Sequence, residues 1–310
     1  MSSKIAFIYP GQGSQSVGML KELASEFGLI ENTFSKASEA LGYDLWDLVQ
    51  NGSAEQLNQT DVTQPALLTT GVAIWRAWGE QGGAEPLAMA GHSLGEYTAL
   101  VCAGAMSLAD GVRLVRKRGE LMQQAVPAGQ GAMAAILGLD DELVQTLCQQ
   151  AAEGQVVSPV NYNSPGQVVI AGDKEAVERA GELLKAEGAR KVIPLAVSVP
   201  SHCSLMKPAA EQLQIELDGI DIISPIIPVV NNVDATVETD VSAIKAALVR
   251  QMYNPVQWVR VVQKLVGLGA EVGCECGPGK VLTGLNKRID KKLVGSILQD
   301  PAGFHAALAK

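Results

Sequence analysis

The sequence predicts an α/β protein, because short apolar segments of strand length alternate with longer segments of helical periodicity. The first apolar segment, Ile5–Tyr9, runs directly into a glycine-rich turn at 11–15. Hydrophobic residues make up 47% of the chain and charged residues 18%, a composition that is typical of globular proteins and excludes a disordered one. The chain has 310 residues, which suggests about two domains.

The first part of the chain supplies two strands and several helices of the predicted fold. The strands are predicted at 5–9 and 87–90, and both are short and apolar. The helices are predicted at 19–27, 30–41, 64–78, 94–105 and 108–125. The helix at 64–78 is apolar enough to be buried, whereas the helix at 108–125 is amphipathic and carries arginines on one side.

The middle of the chain has a different order of elements, β-α-β-β-α-β. Its strands are predicted at 132–137, 156–162, 167–171 and 191–197, and its helices at 140–152 and 173–188. The turn sequence Ser164-Pro-Gly166 joins the second and third strands. This order is the ferredoxin-like signature. We therefore predict a ferredoxin-like subdomain at 128–196, inserted into a larger α/β domain that consists of 1–127 and 197–310.

The larger domain is predicted to continue after the inserted subdomain. Its remaining elements are a strand at 226–231, helices at 241–251 and 256–267, a strand with a glycine turn at 271–279, and a helix at 281–292. The alternation of strands and helices in this part completes the α/β pattern.

Charge and cysteine content restrict the class of protein and its compartment. The net charge of −9 argues against general nucleic-acid binding, which needs a basic surface. The five cysteines form no C-x-x-C pair, and their odd number suits reduced thiols in a cytoplasm. The N-terminal apolar run is too short for a signal peptide, and no apolar stretch reaches the ~20 residues of a membrane span.

The motif Gly91-His-Ser93-Leu-Gly95 matches G-x-S-x-G and lies between a predicted strand and a predicted helix. That context is the one in which a nucleophile elbow occurs. The two glycines would let strand and helix approach closely, and the helix N-terminus would favour a developing oxyanion near Ser93. An ordinary serine in a glycine-bounded turn is the alternative interpretation.

A nucleophilic serine needs a base, and the chain has only three histidines. His92 adjoins Ser93 on the elbow and should point away from it, and His305 lies in a C-terminal segment predicted as an exposed helix. His202 follows a predicted strand, where catalytic groups of α/β folds collect, and is the predicted base. No acid stands out as a third member. Asp218, Asp221 and Asp234 are candidates by order, and a carbonyl could orient the imidazole instead.

Arg118 follows Arg113, Arg116 and Lys117 on the predicted helix 108–125. The other three cations are predicted to be solvated, although spacing alone does not separate Arg118 from them. A guanidinium that faces the site would predict an anionic substrate, because it binds a carboxylate through two hydrogen bonds.

Three further patterns are weak matches to cofactor motifs. The turn at 11–16 has Ser16 in place of the third glycine of a dinucleotide fingerprint. Gly277-Pro-Gly279-Lys280 lacks the first glycine of a phosphate loop and has Val281 in place of Ser or Thr. Cys274 and Cys276 have no accompanying His or Cys cluster and are predicted to be buried thiols.

Seven motifs occur together in the chain. In order they are Gly11-Gln-Gly-Ser-Gln15, Gly91-His-Ser-Leu-Gly-Glu-Tyr97, Arg118-Gly119, Asn161-Tyr-Asn-Ser-Pro-Gly166, Val199-Pro-Ser-His202, Tyr253-Asn-Pro-Val-Gln-Trp258 and Gly277-Pro-Gly-Lys280. As a set, they resemble one family, the malonyl-CoA:acyl carrier protein transacylases of bacterial type II fatty acid synthesis. The resemblance covers about 4–290. It implies an α/β-hydrolase-like domain with an inserted ferredoxin-like subdomain.

The resemblance also implies an activity and a set of site residues. The expected activity moves a malonyl group from malonyl-CoA to the phosphopantetheine thiol of acyl carrier protein through a malonyl-serine, without metal or other cofactor. The implied residues are Ser93 as nucleophile, His202 as base, the Gln251 carbonyl as its orienting group, the Gln12 and Leu94 backbone N–H groups as oxyanion hole, Arg118 for the malonyl carboxylate and Met122 as pocket lining. A serine thioesterase or esterase, and a non-catalytic module that docks carrier protein, are the alternatives.

Overall fold

The structure, a computed structural model, describes residues 4–196 and 199–309. Its strands are β1 (Ile5–Tyr9), β2 (Ala88–Gly91), β3 (Gly131–Leu137), β4 (Val157–Ser164), β5 (Gln167–Asp173), β6 (Lys191–Pro194), β7 (Val229–Val230), β8 (Val272–Glu275) and β9 (Val294–Ile297).

Helices surround and connect these strands. They are α1 (Lys21–Glu26), α2 (Leu29–Leu41), α3 (Leu45–Asn51), α4 (Ala54–Leu57), α5 (Thr60–Glu80), α6 (Leu94–Cys102), α7 (Leu108–Ala125), α8 (Asp141–Ala152), α9 (Lys174–Ala186), α10 (Lys207–Asp218), α11 (Val241–Gln251), α12 (Trp258–Gly267), α13 (Val281–Ile289) and α14 (Pro301–Leu308). A short 3₁₀ turn, Ser204–Met206, precedes α10.

A parallel sheet with the strand order β7-β2-β1-β8-β9 forms the centre of the larger part. The central strand β1 is buried, and helices cover both faces of the sheet, as is usual for parallel sheets. In the register of the two strands, Tyr9 at the end of β1 pairs with Gly91 at the end of β2. Because parallel strands end at one edge, the loops that follow β1, β2 and β7 meet there, where ligands bind in open α/β sheets.

A second, antiparallel sheet has the order β4-β5-β3-β6. Numbered along this segment, that order is 2-3-1-4, which is the ferredoxin-like arrangement predicted from β-α-β-β-α-β. The helices α8 and α9 pack on one face around a core that includes Ile136, Val144 and Ile170. The other face, with Met133 and Val169, packs against Cys203, so this sheet lies beside the segment that carries His202.

The fold class predicted from the sequence is therefore confirmed. Its division into a subdomain at 128–196 and a catalytic domain at 1–127 and 197–310 stays a prediction. Among residues 4–196 and 199–309, no helix is both long and apolar enough to cross a membrane.

Several predicted boundaries were wrong. The strand predicted at 226–231 is only Val229–Val230, and Ile226 is 78% exposed rather than part of the sheet. The helix predicted at 281–292 ends at Ile289, and the strand predicted at 191–197 ends at Pro194, with 197 outside the described residues. The strand Val294–Ile297 was not predicted, because its glycine and serine give it a weak strand propensity.

Candidate active site

Ser93 sits on a sharp turn between β2 and α6. Its φ of 51° and ψ of −107° are unfavourable for a residue with a Cβ atom. A Cβ on Gly91 would lie 1.9 Å from the carbonyl carbon of Gly95, and a Cβ on Gly95 would lie 2.1 Å from the Tyr9 carbonyl oxygen. Only glycine fits at either position, so the steric role predicted for both glycines is confirmed. The turn thereby holds Ser93 at the carboxyl edge of the parallel sheet.

His202 lies next to Ser93, although the two residues are 109 positions apart in the chain. The distance from Ser93 Oγ to His202 Nε2 is 2.8 Å, and the distance from His202 Nδ1 to the Gln251 carbonyl oxygen is 2.7 Å. A carbonyl can only accept, so Nδ1 carries the proton and donates it. Nε2 is then the acceptor of the Ser93 hydroxyl proton, as a general base must be.

The surroundings keep the imidazole of His202 uncharged. The ring is almost fully buried. Burial and the positive charge of Arg118 lower the pKa of His202 to about 3. The imidazole is consequently in its neutral, proton-accepting form at pH 7.

The orienting group of His202 is a backbone carbonyl at the end of α11 rather than an acid. Gln251 is fully buried, and its carbonyl faces Nδ1. Of the three acids that were candidates by order, Asp234 pairs with Arg250 at 2.6 Å, and Asp218 accepts a hydrogen bond from Gln214 at 2.8 Å. Asp221 is exposed. The hydrogen bonds of the described residues therefore connect none of these acids to the imidazole.

Arg118 lies on α7 and is only 1% exposed, whereas Arg113, Arg116 and Lys117 on the same helix have side chains that are 41–58% exposed. This difference separates Arg118 from its neighbours, which sequence spacing did not. Its Nη2 donates to Ser93 Oγ at 3.2 Å and to Gln251 Oε1 at 3.1 Å.

The rest of the Arg118 guanidinium is held by neutral groups. Nη1 donates to Gln64 Oε1 at 2.8 Å, and Cζ lies 5.2 Å from the centre of the Tyr97 ring. The Nε atom is buried and has no acceptor within the described part of the chain. A buried cation with a free donor, close to the serine oxygen, is suited to bind a carboxylate on an acyl group attached to that oxygen.

The turn after β1 also lines the site, through Gln12. A Cβ on Gly11 would lie 2.5 Å from the His92 carbonyl oxygen, so glycine at this position brings the following Gln12 against the elbow. The backbone N–H groups of Gln12 and Leu94 have no hydrogen-bond acceptor among the described residues. Two such donors beside a nucleophile can bind an oxyanion.

These groups line one cavity of about 110 Å³. The predicted residues on its wall are Gln12, Ser93, Leu94, Arg118, Met122 and His202. Gln251 lies behind the wall and contacts both His202 and Arg118. A larger open groove of about 1130 Å³ adjoins this cavity at Met133 and Leu195. The candidate catalytic side chains line the smaller cavity, which we therefore take as the candidate active site.

The other two histidines have different surroundings. His92 Nε2 lies 2.8 Å from Asn163 Oδ1, so its ring is paired with Asn163 rather than with Ser93, and burial lowers its pKa. His305 is half-exposed on α14 and pairs with Glu26.

Three buried polar residues that contact the site were not identified from the sequence, namely Gln64, Glu96 and Asn232. Gln64 binds the Arg118 guanidinium, while Glu96 and Asn232 form hydrogen bonds beneath the elbow. Glu96 could have been found as a charged residue inside the apolar run 94–105. Asn232 could have been found as a polar residue directly after the strand predicted at 226–231.

The fold and the site together define a serine-dependent acyl-transferring or acyl-hydrolysing enzyme of the α/β-hydrolase-like class. The strand–turn–helix elbow, the serine–histidine pair and the paired backbone donors are the features of that class.

Comparison with known proteins narrows this class to one family. Residues 6–298 match the acyl transferase domain family. A malonyl CoA-acyl carrier protein transacylase of Salmonella typhimurium is 61% identical over 308 residues, which are 99% of this chain and 100% of the relative. The chain belongs to the acyl transferase domain family and, within it, to the malonyl CoA-acyl carrier protein transacylases.

Solved structures agree with this assignment. An acyl carrier protein S-malonyltransferase from Vibrio cholerae superimposes with a TM-score of 0.96 at 58% identity, covering 98% of this chain and 99% of the other. A malonyl-transacylase solved in complex with its type II PKS acyl-carrier protein gives a TM-score of 0.98 at 57% identity, covering 99% of both chains.

Proposed function

We propose that the protein transfers a malonyl group from malonyl-CoA to the phosphopantetheine thiol of acyl carrier protein, in fatty acid biosynthesis. The observation that carries this proposal is the position of the buried Arg118, with Nη2 3.2 Å from Ser93 Oγ. An acyl chain on Ser93 that ends in a carboxylate would meet this guanidinium within a few bonds. The relatives and the acyl-carrier-protein complex described above support the donor and the acceptor.

The first half-reaction acylates Ser93. His202 Nε2 takes the hydroxyl proton while Oγ attacks the thioester carbonyl, and the carbonyl oxygen becomes an oxyanion. The backbone N–H groups of Gln12 and Leu94 stabilise this oxyanion, each by about 3 kcal/mol. As the intermediate collapses, the C–S bond breaks and His202 returns its proton to the CoA sulfur, which leaves as a thiol.

The second half-reaction runs the same steps with a different thiol. The phosphopantetheine thiol of acyl carrier protein gives its proton to His202 and attacks the malonyl-Ser93 ester, and Oγ then leaves with that proton. Donor and product are similar thioesters, so the overall equilibrium lies near unity. The proposed transfer uses no cofactor, because CoA and phosphopantetheine are substrates and every proton is carried by His202.

Incubation of the protein with malonyl-CoA, followed by intact-mass analysis, tests this proposal. We expect one malonyl group per chain, mapped by peptide digestion to Ser93, and loss of that group when acyl carrier protein with its thiol is added. Steady release of free malonate without an acceptor would instead indicate a thioesterase. No adduct at all would indicate a non-catalytic docking module.

Arg118 is proposed to select the malonyl group. Acetyl-CoA has no carboxylate to pair with the buried cation, at a cost of about 3 kcal/mol, or roughly a hundredfold in kcat/KM. We expect Arg118→Ala to lose about this factor with malonyl-CoA and to bring the malonyl-to-acetyl ratio close to one.

Arg116→Ala is the matched control for this variant, because Arg116 lies on the same helix with a side chain that is 41% exposed. It should keep the wild-type ratio of kcat/KM for the two thioesters. An unchanged ratio in Arg118→Ala would remove Arg118 from the proposed role.

We place the enzyme in the cytoplasm. All five cysteines are free and buried, which suits a reducing compartment. The proposed substrates, CoA thioesters and a carrier-protein thiol, also require reducing conditions to keep the acceptor thiol available.

A further inference from the structure

Hydrogen bonds hold both polar groups of the Ser93 backbone. The Ser93 N–H donates to Asn232 Oδ1 at 2.6 Å. The Ser93 carbonyl accepts from Gln251 Nε2 and from the Glu96 N–H, both at 3.1 Å. The backbone of Ser93 is in an unfavourable conformation, which persists only where the surrounding structure holds it in place. These three contacts are the means by which it is held.

The Glu96 carboxyl connects Asn232 and Gln251, the two residues whose side chains make these contacts. Its Oε2 accepts from the Asn232 backbone N–H at 2.9 Å and from Gln251 Nε2 at 2.8 Å. Gln251 Nε2 thus uses both of its hydrogens, one on Glu96 and one on Ser93. Asn232 Nδ2 donates to the Gly91 carbonyl at 2.7 Å, which fixes the orientation of that amide as well. All three side chains are at most 2% exposed, so water does not compete for these bonds.

The same contacts determine where the Leu94 N–H points. The Ser93 carbonyl and the Leu94 N–H belong to one planar trans peptide, so they point in opposite directions. Hydrogen bonds from Gln251 Nε2 and from the Glu96 backbone N–H hold the Ser93 carbonyl oxygen on the side away from the cavity. The Leu94 N–H therefore points towards the cavity. This N–H is one of the two proposed oxyanion donors, and such donors act only when they are aimed at the position of the oxyanion.

We propose that Glu96 and Asn232 are positioning residues that fix the Ser93–Leu94 peptide and so aim the Leu94 N–H at the oxyanion. This inference rests on the malonyl transfer proposed above. Neither side chain lines the cavity, so neither is a catalytic residue. Their loss should slow the acylation step itself, because the oxyanion exists only in the transition state and the intermediate.

Two substitutions of Glu96 separate hydrogen bonding from filling of space. Glu96→Leu keeps the volume but removes the acceptor, which leaves the Asn232 N–H unpaired. Glu96→Gln keeps an acceptor oxygen at the same distance. Burial raises the pKa of Glu96 to about 7, so a neutral glutamine is a close substitute at pH 6, where the comparison is made.

Thr98→Val is the matched control. Thr98 lies on the same helix and is 1% exposed, and its hydroxyl has no partner among the described residues. The substitution therefore removes a buried polar atom from α6 without touching the hydrogen bonds at Ser93. Asn232→Ala is the second test variant, and it removes the acceptor of the Ser93 N–H directly.

The experiment measures the rate constant and the final amplitude of malonyl-Ser93 formation in single turnovers. We expect Glu96→Leu and Asn232→Ala to slow the rate constant by about 30-fold or more, with the full amplitude of one malonyl group per chain. Glu96→Gln should lie within about fivefold and Thr98→Val within about twofold of the wild type. A purely structural role would reduce the amplitude, since fewer chains would be folded, but not the rate constant of the remainder.

The inference is overturned if Glu96→Leu or Asn232→Ala acylates within about threefold of the wild type, if Thr98→Val is slowed equally, or if only the amplitude falls. Absence of any malonyl adduct in the wild-type protein would instead overturn the proposed function.

Discussion

Ser93→Ala is expected to form no malonyl adduct and to lose malonyl transfer by a factor of about 10⁴ or more. The substitution removes the only atom that receives the acyl group in the proposed mechanism. The base, the guanidinium and the backbone donors remain in place, but a residual reaction without a covalent intermediate would need acceptor thiol and malonyl-CoA to bind together. The measurement is intact mass after exposure to malonyl-CoA, together with the rate of malonyl-carrier formation.

Ser201→Ala is the matched control for this prediction. Ser201 lines the same cavity and precedes His202, but within the described residues its hydroxyl makes a single long contact, of 3.5 Å, with the Val199 carbonyl. We expect the variant to acquire the malonyl group as the wild type does. A full malonyl adduct on Ser93→Ala would show that the nucleophile lies elsewhere, and Ser201 would be the first residue to map.

His202→Ala is expected to lower kcat/KM for acylation by about 10³- to 10⁴-fold. Without the imidazole, residues 4–196 and 199–309 place no neutral base in hydrogen-bond contact with Ser93 Oγ, and the hydroxyl keeps its proton. The neighbouring Arg118 cannot replace the base, because a guanidinium stays protonated. Pre-steady-state acylation by malonyl-CoA measures the loss directly.

His305→Ala serves as the control for the loss of an imidazole elsewhere. His305 is half-exposed and pairs with Glu26 on the surface. Its replacement should leave the acylation rate within about twofold of the wild type. If His202→Ala retained wild-type acylation, the serine–histidine pair would not be the catalytic unit.

The pH dependence of stability provides a second measurement on His202→Ala. The folded protein lowers the pKa of this group from 6.5 to about 3, so the unfolded state binds the proton more readily. The stability associated with the neutral ring is therefore present above pH 6.5 and is lost as the pH falls from 6.5 towards 3. His202→Ala removes this linkage, and chemical denaturation should show a shallower loss of stability across that range.

The parts of the fold that could be predicted from the sequence are those encoded in local patterns. The strand β1 and the helix α7 were placed correctly because each has a clear apolar pattern. Full burial gives β1 an uninterrupted apolar run, and burial of one face gives α7 an apolar residue about once per helical turn. The two-residue strand β7 was predicted too long, because its length is set by the residues of β2 with which it can pair. The strand β9 was missed for a related reason, since its pairing with β8 compensates for a poor local propensity.

Only some of the candidate site residues could be predicted from local sequence patterns. The elbow could be predicted from five consecutive residues, because two glycines around a serine, between a predicted strand and a predicted helix, favour such a turn over an ordinary glycine-bounded one. His202 followed from a count of histidines. The orienting group did not follow from the residues themselves, because a backbone carbonyl has no signature in a sequence, and Gln251 was assigned through the family resemblance alone.

By itself, the sequence determined the class of fold, the sharp strand–turn–helix elbow at Ser93 and the family, because each is carried by residue order and by side chains that are chemically rare in this chain. The family resemblance had singled out Arg118, but only the tertiary structure showed that it is buried while the three other cations on its helix are exposed. Only the tertiary structure brought Glu96, Asn232 and Gln251 together beneath Ser93. The physical reason is that burial and hydrogen-bond geometry are set by long-range packing. Ser93 and Gln251 are 158 residues apart, yet the amide of one directly contacts the backbone of the other.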